Sequence, residues 1–185
     1  IQRAAGHPVD FEEMAKVLLE AVQANCYIVG RRGRILGYSF MPNFTCGSME
    51  EIVVHSERFP ESYNEGLLKT TETKANCTQV ANGCVFNDNE PCHFSNKLTT
   101  IVPILGGGER VGTLVLAKFD QKFTDEDLVL AEYGATVVGM EILRMKAERA
   151  EEEARKKAAV QIALGTLSYS ELEAVEHIFA ELGGG

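Results

Sequence analysis

The sequence predicts an α+β domain that is followed by a long helix. Three observations carry this prediction. Two pairs of short β-rich runs are joined by glycine-containing turns, amphipathic helical patterns flank them, and a stretch of about 40 residues toward the carboxyl end contains no proline. The 185 residues suit one substantial domain with an appendage.

The chain opens with a helix and a hairpin. Apolar residues recur at helical spacing between residues 8 and 24, and Asp10 is placed to cap this helix with Glu13 three residues later. Two β-rich runs follow, residues 26–29 and 35–39, and the turn between them contains glycine and arginine. The pattern therefore predicts a hairpin with a basic tip.

The middle of the chain, residues 40–98, is less regular. Residues 48–55 and 60–68 each favour a short helix, and the second begins with proline, whose missing N–H is harmless in a first turn. Asparagine, glycine and proline punctuate residues 70–94, which predicts loops around a single strand at residues 84–86. A long irregular insertion of this kind is more often a binding loop than a simple connection.

Regular patterns return after the insertion. Residues 99–105 and 111–117 predict a second hairpin, and Thr124 with an acidic residue three positions later predicts the start of a helix that runs to about residue 164. At about 1.5 Å per residue this helix is about 60 Å long, so we expect it to project from the domain or to pair with a partner. A capping box at Ser170 then begins a short amphipathic helix, which we interpret as the first element of a second domain.

Charge and cysteine content limit the function classes. The net charge of −9 disfavours a nucleic-acid grip by this chain itself, since phosphate binding needs a basic face. Five cysteines without a CxxC pair fit neither a disulfide framework nor a zinc ribbon. No apolar run approaches the roughly 20 residues of a membrane span, and the first residues lack a signal-peptide pattern, so we expect a cytoplasmic protein with no membrane partner.

Motifs for catalysis or metal binding are weak. Residues 106–113 have the outer glycine spacing of a P-loop, but they lack its lysine and lead into a strand, which favours a hairpin turn. The spacing of Cys77, Cys84, Cys92 and His93 is unlike that of zinc ligands. We therefore expect no metal and no enzymatic activity, and the alternative hypothesis is a redox sensor or enzyme that uses one of these three thiols.

Apolar and aromatic residues accumulate in the irregular middle of the chain. Large apolar groups beside a sheet either complete a core or line a pocket for a small ligand. The residues concerned are Met49, Val53, Phe59, Pro60, Tyr63, Val85 and Phe86.

Five segments carry a resemblance to a known family. They are residues 31–37 (RRGRILG), 99–114 (TTIVPILGGGERVGTL), 130–144 (LAEYGATVVGMEILR), and 167–171 with 176–179 (LSYSE and EHIF). Over essentially its whole length the chain resembles the CodY family of global transcriptional repressors.

The resemblance implies the domain organisation and the function. It implies a GAF ligand-sensing domain at residues 1–143, with an antiparallel sheet flanked by helices, a helical linker at 144–166, and the start of a winged helix-turn-helix domain at 167–185. Members sense the branched-chain amino acids isoleucine, valine and leucine, and respond to GTP as a second effector. They are not enzymes. As homodimers they bind promoter DNA and control nutrient-adaptation genes, here through a C-terminal domain that we expect beyond Gly185.

The resemblance also implies which residues hold the amino acid. The positions where the family encloses the aliphatic side chain correspond to Met49, Val53, Phe59, Pro60 and Tyr63. Backbone groups of Cys84 and Phe86, on either side of Val85, fall where the family meets the ligand's polar ends.

One departure from the family concerns the ligand carboxylate. The family's arginine that pairs with this carboxylate aligns with Ser48 or Met49, so the bidentate anchor is missing. A buried carboxylate needs a partner. Backbone N–H groups, Ser48 or Arg58 must therefore replace the arginine, or affinity and selectivity differ from those of the family.

Overall fold

The computed structural model describes residues 10–42, 44–78, 84–86, 92, 94, 96–165 and 169–182. The chain divides into two compact units, Ile1–Leu143 and Arg144–Gly185. The first unit contains a five-stranded sheet and the residues that form both hydrophobic cores.

The sheet is antiparallel throughout, with strand order β2-β1-β5-β4-β3. Its strands are β1 (Asn25–Gly30), β2 (Ile35–Ser39), β3 (Lys74–Thr78), β4 (Lys97–Gly106) and β5 (Glu109–Phe119). Helices cover both faces, which confirms the predicted α+β class.

Both predicted hairpins are present. In the second, Gly106 pairs with Glu109, so that only Gly107 and Gly108 form the turn, with φ angles of 61° and 81°. A two-residue turn of this handedness needs positive φ at both positions, which glycine adopts at no steric cost. The glycine-rich segment is thus a hairpin turn.

The predicted strand at residues 84–86 is wrong, because Cys84, Val85 and Phe86 form no strand. The edge strand of this region is instead β3, which has no apolar alternation and contains a bulge at Asn76, with φ 54°. The Asn76 side chain holds this strand in place, since its Oδ1 accepts the N–H of Phe123 at 2.7 Å and its Nδ2 donates to the Phe123 carbonyl at 3.1 Å. A side chain that bonds to distant backbone is a tertiary interaction that local patterning does not reveal.

Two helices pack on one face of the sheet. Helix α1 (Phe11–Val22) begins where predicted, since Asp10 Oδ1 accepts the N–H of Glu12 at 2.9 Å. The predicted turn of helix before it, residues 8–9, lies outside the described residues. Helix α4 (Asp125–Gly165) has 41 residues and begins with a reciprocal cap, in which Thr124 Oγ1 accepts the Asp127 N–H and Asp127 Oδ2 accepts the Thr124 N–H.

The first hydrophobic core lies between these helices and the sheet. Alternate residues of the three central strands point into it, as the period of two in a strand requires. Its large side chains that are fully buried include Leu18, Ile28, Ile104, Leu114, Leu116 and Val138.

The opposite face of the sheet carries the irregular middle of the chain. A short helix α2 (Gly47–Met49) continues as a π-helix (Glu50–His55), and α3 (Glu61–Leu68) follows with Pro60 at its amino end. Both predicted short helices are therefore present, although six residues of the first adopt the wider π form. Met49 and Val53 are buried from this segment and join a second core, which also contains Tyr27, Phe59 and Val115.

Exposed ion pairs line the outer part of α4. Glu151 pairs with Arg155 and Glu152 with Lys156, which is the i,i+4 spacing at which opposite charges meet on a helix surface. Helix α5 (Tyr169–Leu182) follows, and the capping role predicted for Ser170 concerns a side chain outside those described. None of the described helices has the length and apolarity of a membrane span.

Candidate ligand-binding site

A pocket lies between the second face of the sheet and the irregular segments that cover it. Strand residues with one side-chain direction line it from below, and residues of α3 and the loops line it from above. The strand residues are Tyr27, Lys97, Thr99, Val115, Ala117 and Phe119, and those above are Phe44, Cys46, Phe59, Tyr63, Cys84, Val85, Phe86, Cys92 and Phe94.

Strand alternation explains the lower lining. On β4, Lys97 and Thr99 point to the pocket while Val102 and Ile104 point to the first core. The ladder between β4 and β5 then places Lys97 opposite Phe119 and Thr99 opposite Ala117.

Aromatic rings make up most of one end of the pocket. The ring centroids of Phe59 lie 5.8 Å from Tyr27, 5.2 Å from Tyr63 and 5.5 Å from Phe86. Tilted ring pairs at these separations are stabilising beyond their buried area. Such a surface favours an apolar group on a ligand.

A second group of rings forms the other end, beside the first residues of β4. The centroid of Phe119 lies 5.2 Å from Phe44 and 5.0 Å from Phe94. The adjacent polar lining consists of Lys97 and Thr99. The pocket is therefore apolar at the Phe59 end and mixed at the Phe119 end.

The space inside the pocket is small. Its accessible volume is about 40 Å³, which admits only a few water molecules, since one water needs about 10–15 Å³ by this measure. A bound molecule of amino-acid size would require the lining to move apart. The residues that hold the roof at Cys84 to Phe86 belong to no helix or strand, so their displacement breaks no regular hydrogen-bond ladder.

Two tyrosines in the pocket remain neutral. Burial raises the pKa of the Tyr27 hydroxyl above its ordinary range, and the neighbouring Tyr63 adds to this shift. Burial likewise raises the pKa of Tyr63. Each phenol therefore keeps its proton and can donate or accept a hydrogen bond at any physiological pH.

The predicted site residues divide into three groups. Phe59, Tyr63, Cys84, Val85 and Phe86 line the pocket together. Met49 and Val53 are 1% and 0% exposed and pack behind the lining in the second core. Ser48 and Pro60 are half-buried and do not line the pocket.

Lys97 was not identified in the sequence analysis. Among the described lining residues it carries the one positive charge. Lys97 precedes Thr99 by two residues and Ile101 by four, and alternate residues of one strand share a face. This spacing is the signal in the sequence that could have placed Lys97 on the pocket face. Arg58, an expected substitute for the missing arginine, is exposed and donates from Nη1 to the Arg32 carbonyl at 3.1 Å, outside the pocket.

Arg110, at the end of the glycine-rich segment, has a structural role. Its Nη1 donates to the Thr70 carbonyl at 2.6 Å, and its Nη2 donates to the Leu67 carbonyl at 3.4 Å and to Thr113 Oγ1 at 2.8 Å. The guanidinium therefore caps the carboxyl end of α3 and leaves no arginine in this turn to hold a phosphate.

The five cysteines are free thiols. Cys26 is fully buried in the first core, and burial raises the pKa of its thiol far above the ordinary range, so it is unreactive. Within the described ranges no three His, Cys, Asp or Glu side chains form a metal-binding group, and His93 lies outside those ranges.

Solved structures define the class of the fold. The GAF domain of a GAF domain/HD domain protein from Geobacter sulfurreducens matches with a TM-score of 0.53 at 12% identity, over 73% of this chain and 90% of that chain. At this identity the match concerns the fold alone. The cofactor-binding GAF domain of the nutrient sensor CodY from Clostridium difficile matches with a TM-score of 0.55 at 35% identity, over 76% of this chain and 89% of that chain. The sheet and its helices are thus a GAF domain.

Sequence comparison identifies the family. A model of the CodY GAF-like domain matches residues 1–166. The global transcriptional regulator CodY of Clostridium acetobutylicum is 54% identical over 184 residues, which cover 100% of this chain and 71% of the relative. The chain belongs to the CodY family, which confirms the predicted resemblance. Its relatives are transcriptional regulators, and the expectation that the chain is not an enzyme is confirmed with it.

Proposed function

We propose that this chain is the effector-sensing part of a cytoplasmic, DNA-binding global repressor, and that its pocket binds isoleucine, valine or leucine. GTP acts as a second effector, for which we assign no site. The regulator controls genes for nutrient adaptation. Promoter DNA is bound through a winged helix-turn-helix domain whose first element is α5, and not through the acidic segment described here.

One observation carries the proposal. Phe59, Tyr63 and Phe86 form a ring-lined apolar end on a GAF sheet, in a chain of the CodY family. Burial of an aliphatic side chain contributes about 0.8 kcal/mol per methylene, so a branched side chain of three or four carbons gains markedly over alanine or glycine. Selectivity for branched-chain amino acids follows from this end of the pocket.

Ligand binding is expected to change the conformation of the pocket roof. The accessible volume of about 40 Å³ is too small for an amino acid, so the bound state differs from the one described. A ligand shifts a conformational equilibrium only by its difference in affinity for the two states. Movement of residues 84–86 and of α3 is therefore the first step by which occupancy reaches the DNA-binding domain.

A homodimer is the functional state that we propose. Three large apolar residues of α4 share one helix face and are exposed, Val129 at 66%, Tyr133 at 51% and Met140 at 59%. A second copy of the chain would cover them. Sedimentation equilibrium tests this by comparing the molecular mass in solution of the wild type with that of Tyr133→Glu. A wild type that is still monomeric at 100-fold the concentration used for the binding measurements would contradict the proposed dimer.

Isothermal titration calorimetry with isoleucine, valine, leucine, alanine and glycine tests the ligand class. We expect the three branched-chain amino acids to bind and the two small ones to bind at least tenfold more weakly. Phe59→Ala removes a ring that is 2% exposed in the pocket and should weaken isoleucine binding. Phe123→Ala is the matched control, because its ring is also buried but belongs to the first core, on the other face.

The outcomes separate the pocket from general stability. Both variants should lower the unfolding temperature, and only Phe59→Ala should weaken binding at a temperature where each remains folded. Equal binding by Phe59→Ala and wild type would contradict the assigned pocket. Absence of any binding by the wild type would contradict the proposed ligand class.

A further inference from the structure

We infer that Lys97 is the residue that binds the carboxylate of the pocket's ligand. This inference rests on the proposed function, because it assigns one group of the amino acid to one residue of the same pocket. It replaces both side chains expected for this role, Ser48 and Arg58.

The position of Lys97 in the strand supports the inference. Lys97 is the first residue of β4 and points to the pocket face together with Thr99. It pairs with Phe119, so it lies at the mixed end of the pocket. A ligand whose side chain occupies the apolar Phe59 end has its polar groups at the mixed end, where Lys97 and Thr99 lie.

The charge of the pocket points the same way. Among the described lining residues there is no aspartate or glutamate, and Lys97 carries the one formal charge. No ion pair joins its ammonium group to any carboxylate in the described part of the chain. The side chains of Phe44, Phe94 and Phe119, which line the same pocket, offer no oxygen acceptor to an ammonium group, and an anionic ligand supplies one.

Arg110 and Arg58 are already engaged by other groups. Arg110 makes four hydrogen bonds to oxygen atoms at the end of α3 and in β5. Arg58 donates to the Arg32 carbonyl and lines a separate cleft with Arg31 and Arg32. Neither arginine lines the aromatic pocket.

The geometry also defines what the ligand needs. One end accepts a branched apolar group and the other accepts an anion, with the Thr99 hydroxyl beside it. A lysine ammonium is a point charge that binds a carboxylate without the paired geometry of arginine. Selectivity at this end therefore depends on negative charge more than on the shape of the anion.

Calorimetry with isoleucine and with isoleucinamide, which lacks the negative charge, tests the inference on the full chain. The wild type should bind isoleucine about tenfold to a hundredfold more tightly than the amide, as expected for a charge-assisted hydrogen bond. Lys97→Met should lose this preference, with isoleucine binding weakened by the same factor and amide binding unchanged. Lys97→Arg should retain most of the preference.

Lys74→Met is the matched control. Lys74 is an exposed lysine on the neighbouring strand β3 and does not line the pocket, so its replacement should leave both affinities unchanged. Unfolding temperatures of all variants, measured by circular dichroism, establish that each is folded at the titration temperature.

The outcomes distinguish a failure of the role of Lys97 from a failure of the proposed function. If the wild type binds isoleucine and Lys97→Met binds it equally well, the role of Lys97 is overturned while the proposed function stands. If Lys97→Met weakens isoleucine and the amide alike, its effect is on the fold of the pocket and the inference is again overturned. If the wild type binds none of the three branched-chain amino acids, both statements fail.

Discussion

The ammonium nitrogen of Lys118 lies 2.5 Å from a carboxylate oxygen of Asp127, with only 8% and 13% of the two side chains exposed. The pair joins the end of β5 to the first turn of α4, and Lys118 also lies 5.0 Å from the centroid of the Phe123 ring. Burial alone raises the pKa of Asp127, but hydrogen bonds from Lys118 and from the Thr124 N–H outweigh it, so this pKa lies below its usual value.

Asp127→Asn should lower the free energy of unfolding by about 3 kcal/mol at pH 7, because it leaves a buried ammonium group without its counter-charge. The folded-state pKa of Asp127 is lower than the unfolded one, so the contribution of the carboxylate is present above pH 3.8 and is lost as the pH falls through the folded-state pKa. Urea unfolding at several pH values checks both statements.

The difference between wild type and Asp127→Asn should therefore disappear at strongly acidic pH. A double-mutant cycle with Lys118→Met isolates the pair from the cap that Asp127 provides. A difference that stays constant from neutral to strongly acidic pH would show that the charge of Asp127 is not what stabilises this junction.

Gly139→Ala should destabilise the first unit. A Cβ atom at this position would lie 2.1 Å from the Leu105 carbonyl oxygen, which belongs to β4 backbone and cannot rotate away. Helix propensity favours alanine by about 1 kcal/mol, but the required shift of helix or strand costs about 1–3 kcal/mol or more, so the clash decides the sign. Differential scanning calorimetry measures the change in midpoint.

Gly66→Ala is the control for this substitution. Gly66 also lies inside a helix, α3, but nothing is within 4 Å of the position its Cβ would take. Its replacement should be neutral or stabilising by up to about 1 kcal/mol. If both variants lose stability equally, the close approach of α4 to β4 is not the cause.

Arg110→Met should destabilise α3 and weaken ligand binding together. The substitution removes the charged donor from the Leu67 and Thr70 carbonyls and costs about 2–3 kcal/mol. Because α3 carries Tyr63, the aromatic end of the pocket should become less ordered. Chemical denaturation and calorimetry with isoleucine are the two measurements.

Arg110→Lys separates the charge from the geometry. One ammonium group cannot reach all the acceptors that a guanidinium fork spans, so the lysine variant should recover less than half of the lost stability. Arg149→Met, at an exposed position on α4, should change neither quantity. Full recovery by lysine would show that the charge alone supports the carboxyl end of α3.

The regular part of the fold follows from local patterns in the sequence. Alternation and glycine turns predict both hairpins, and the caps at Asp10 and Thr124 predict where α1 and α4 begin, because each signal acts over three or four residues. The edge strand β3 does not follow from such a pattern. Its position depends on the Asn76 side chain and the backbone of Phe123, which are 47 residues apart in sequence.

The candidate site likewise combines residues that a local pattern reveals with residues that only the folded sheet brings together. The aromatic residues Phe59, Tyr63 and Phe86 attract attention as a cluster in an irregular segment, whereas Phe44, Lys97 and Phe119 look ordinary in the sequence. Lys97 and Phe119 belong to the pocket because the register of β4 against β5 brings them together there, and Phe44 reaches it from the irregular segment before α2. Register is a property of the whole sheet, so the charge of the pocket emerges only once the strands are paired.

The cysteines offer a test of both the pocket and the redox alternative. Cys46 and Cys92 are half-buried and line the pocket, whereas Cys77 is half-buried on β3 and does not. Saturating isoleucine should therefore slow alkylation of Cys46 and Cys92 by iodoacetamide and leave Cys77 unchanged. Peptide mass spectrometry at timed intervals measures the rate for each thiol.

Cys26 provides the internal reference, since it is 0% exposed and its thiol pKa is raised by burial. It should stay unmodified with and without ligand, because alkylation needs an accessible thiolate. Protection of Cys77 to the same degree as Cys92 would mean that the ligand stabilises the whole domain instead of filling the pocket. A rate at Cys77, Cys84 or Cys92 well above that of a free cysteine at the same pH would revive the redox hypothesis, because only an activated thiolate reacts faster than the unperturbed thiol. Ordinary or slow rates at every cysteine, combined with selective protection at the pocket, are the result that a ligand sensor requires.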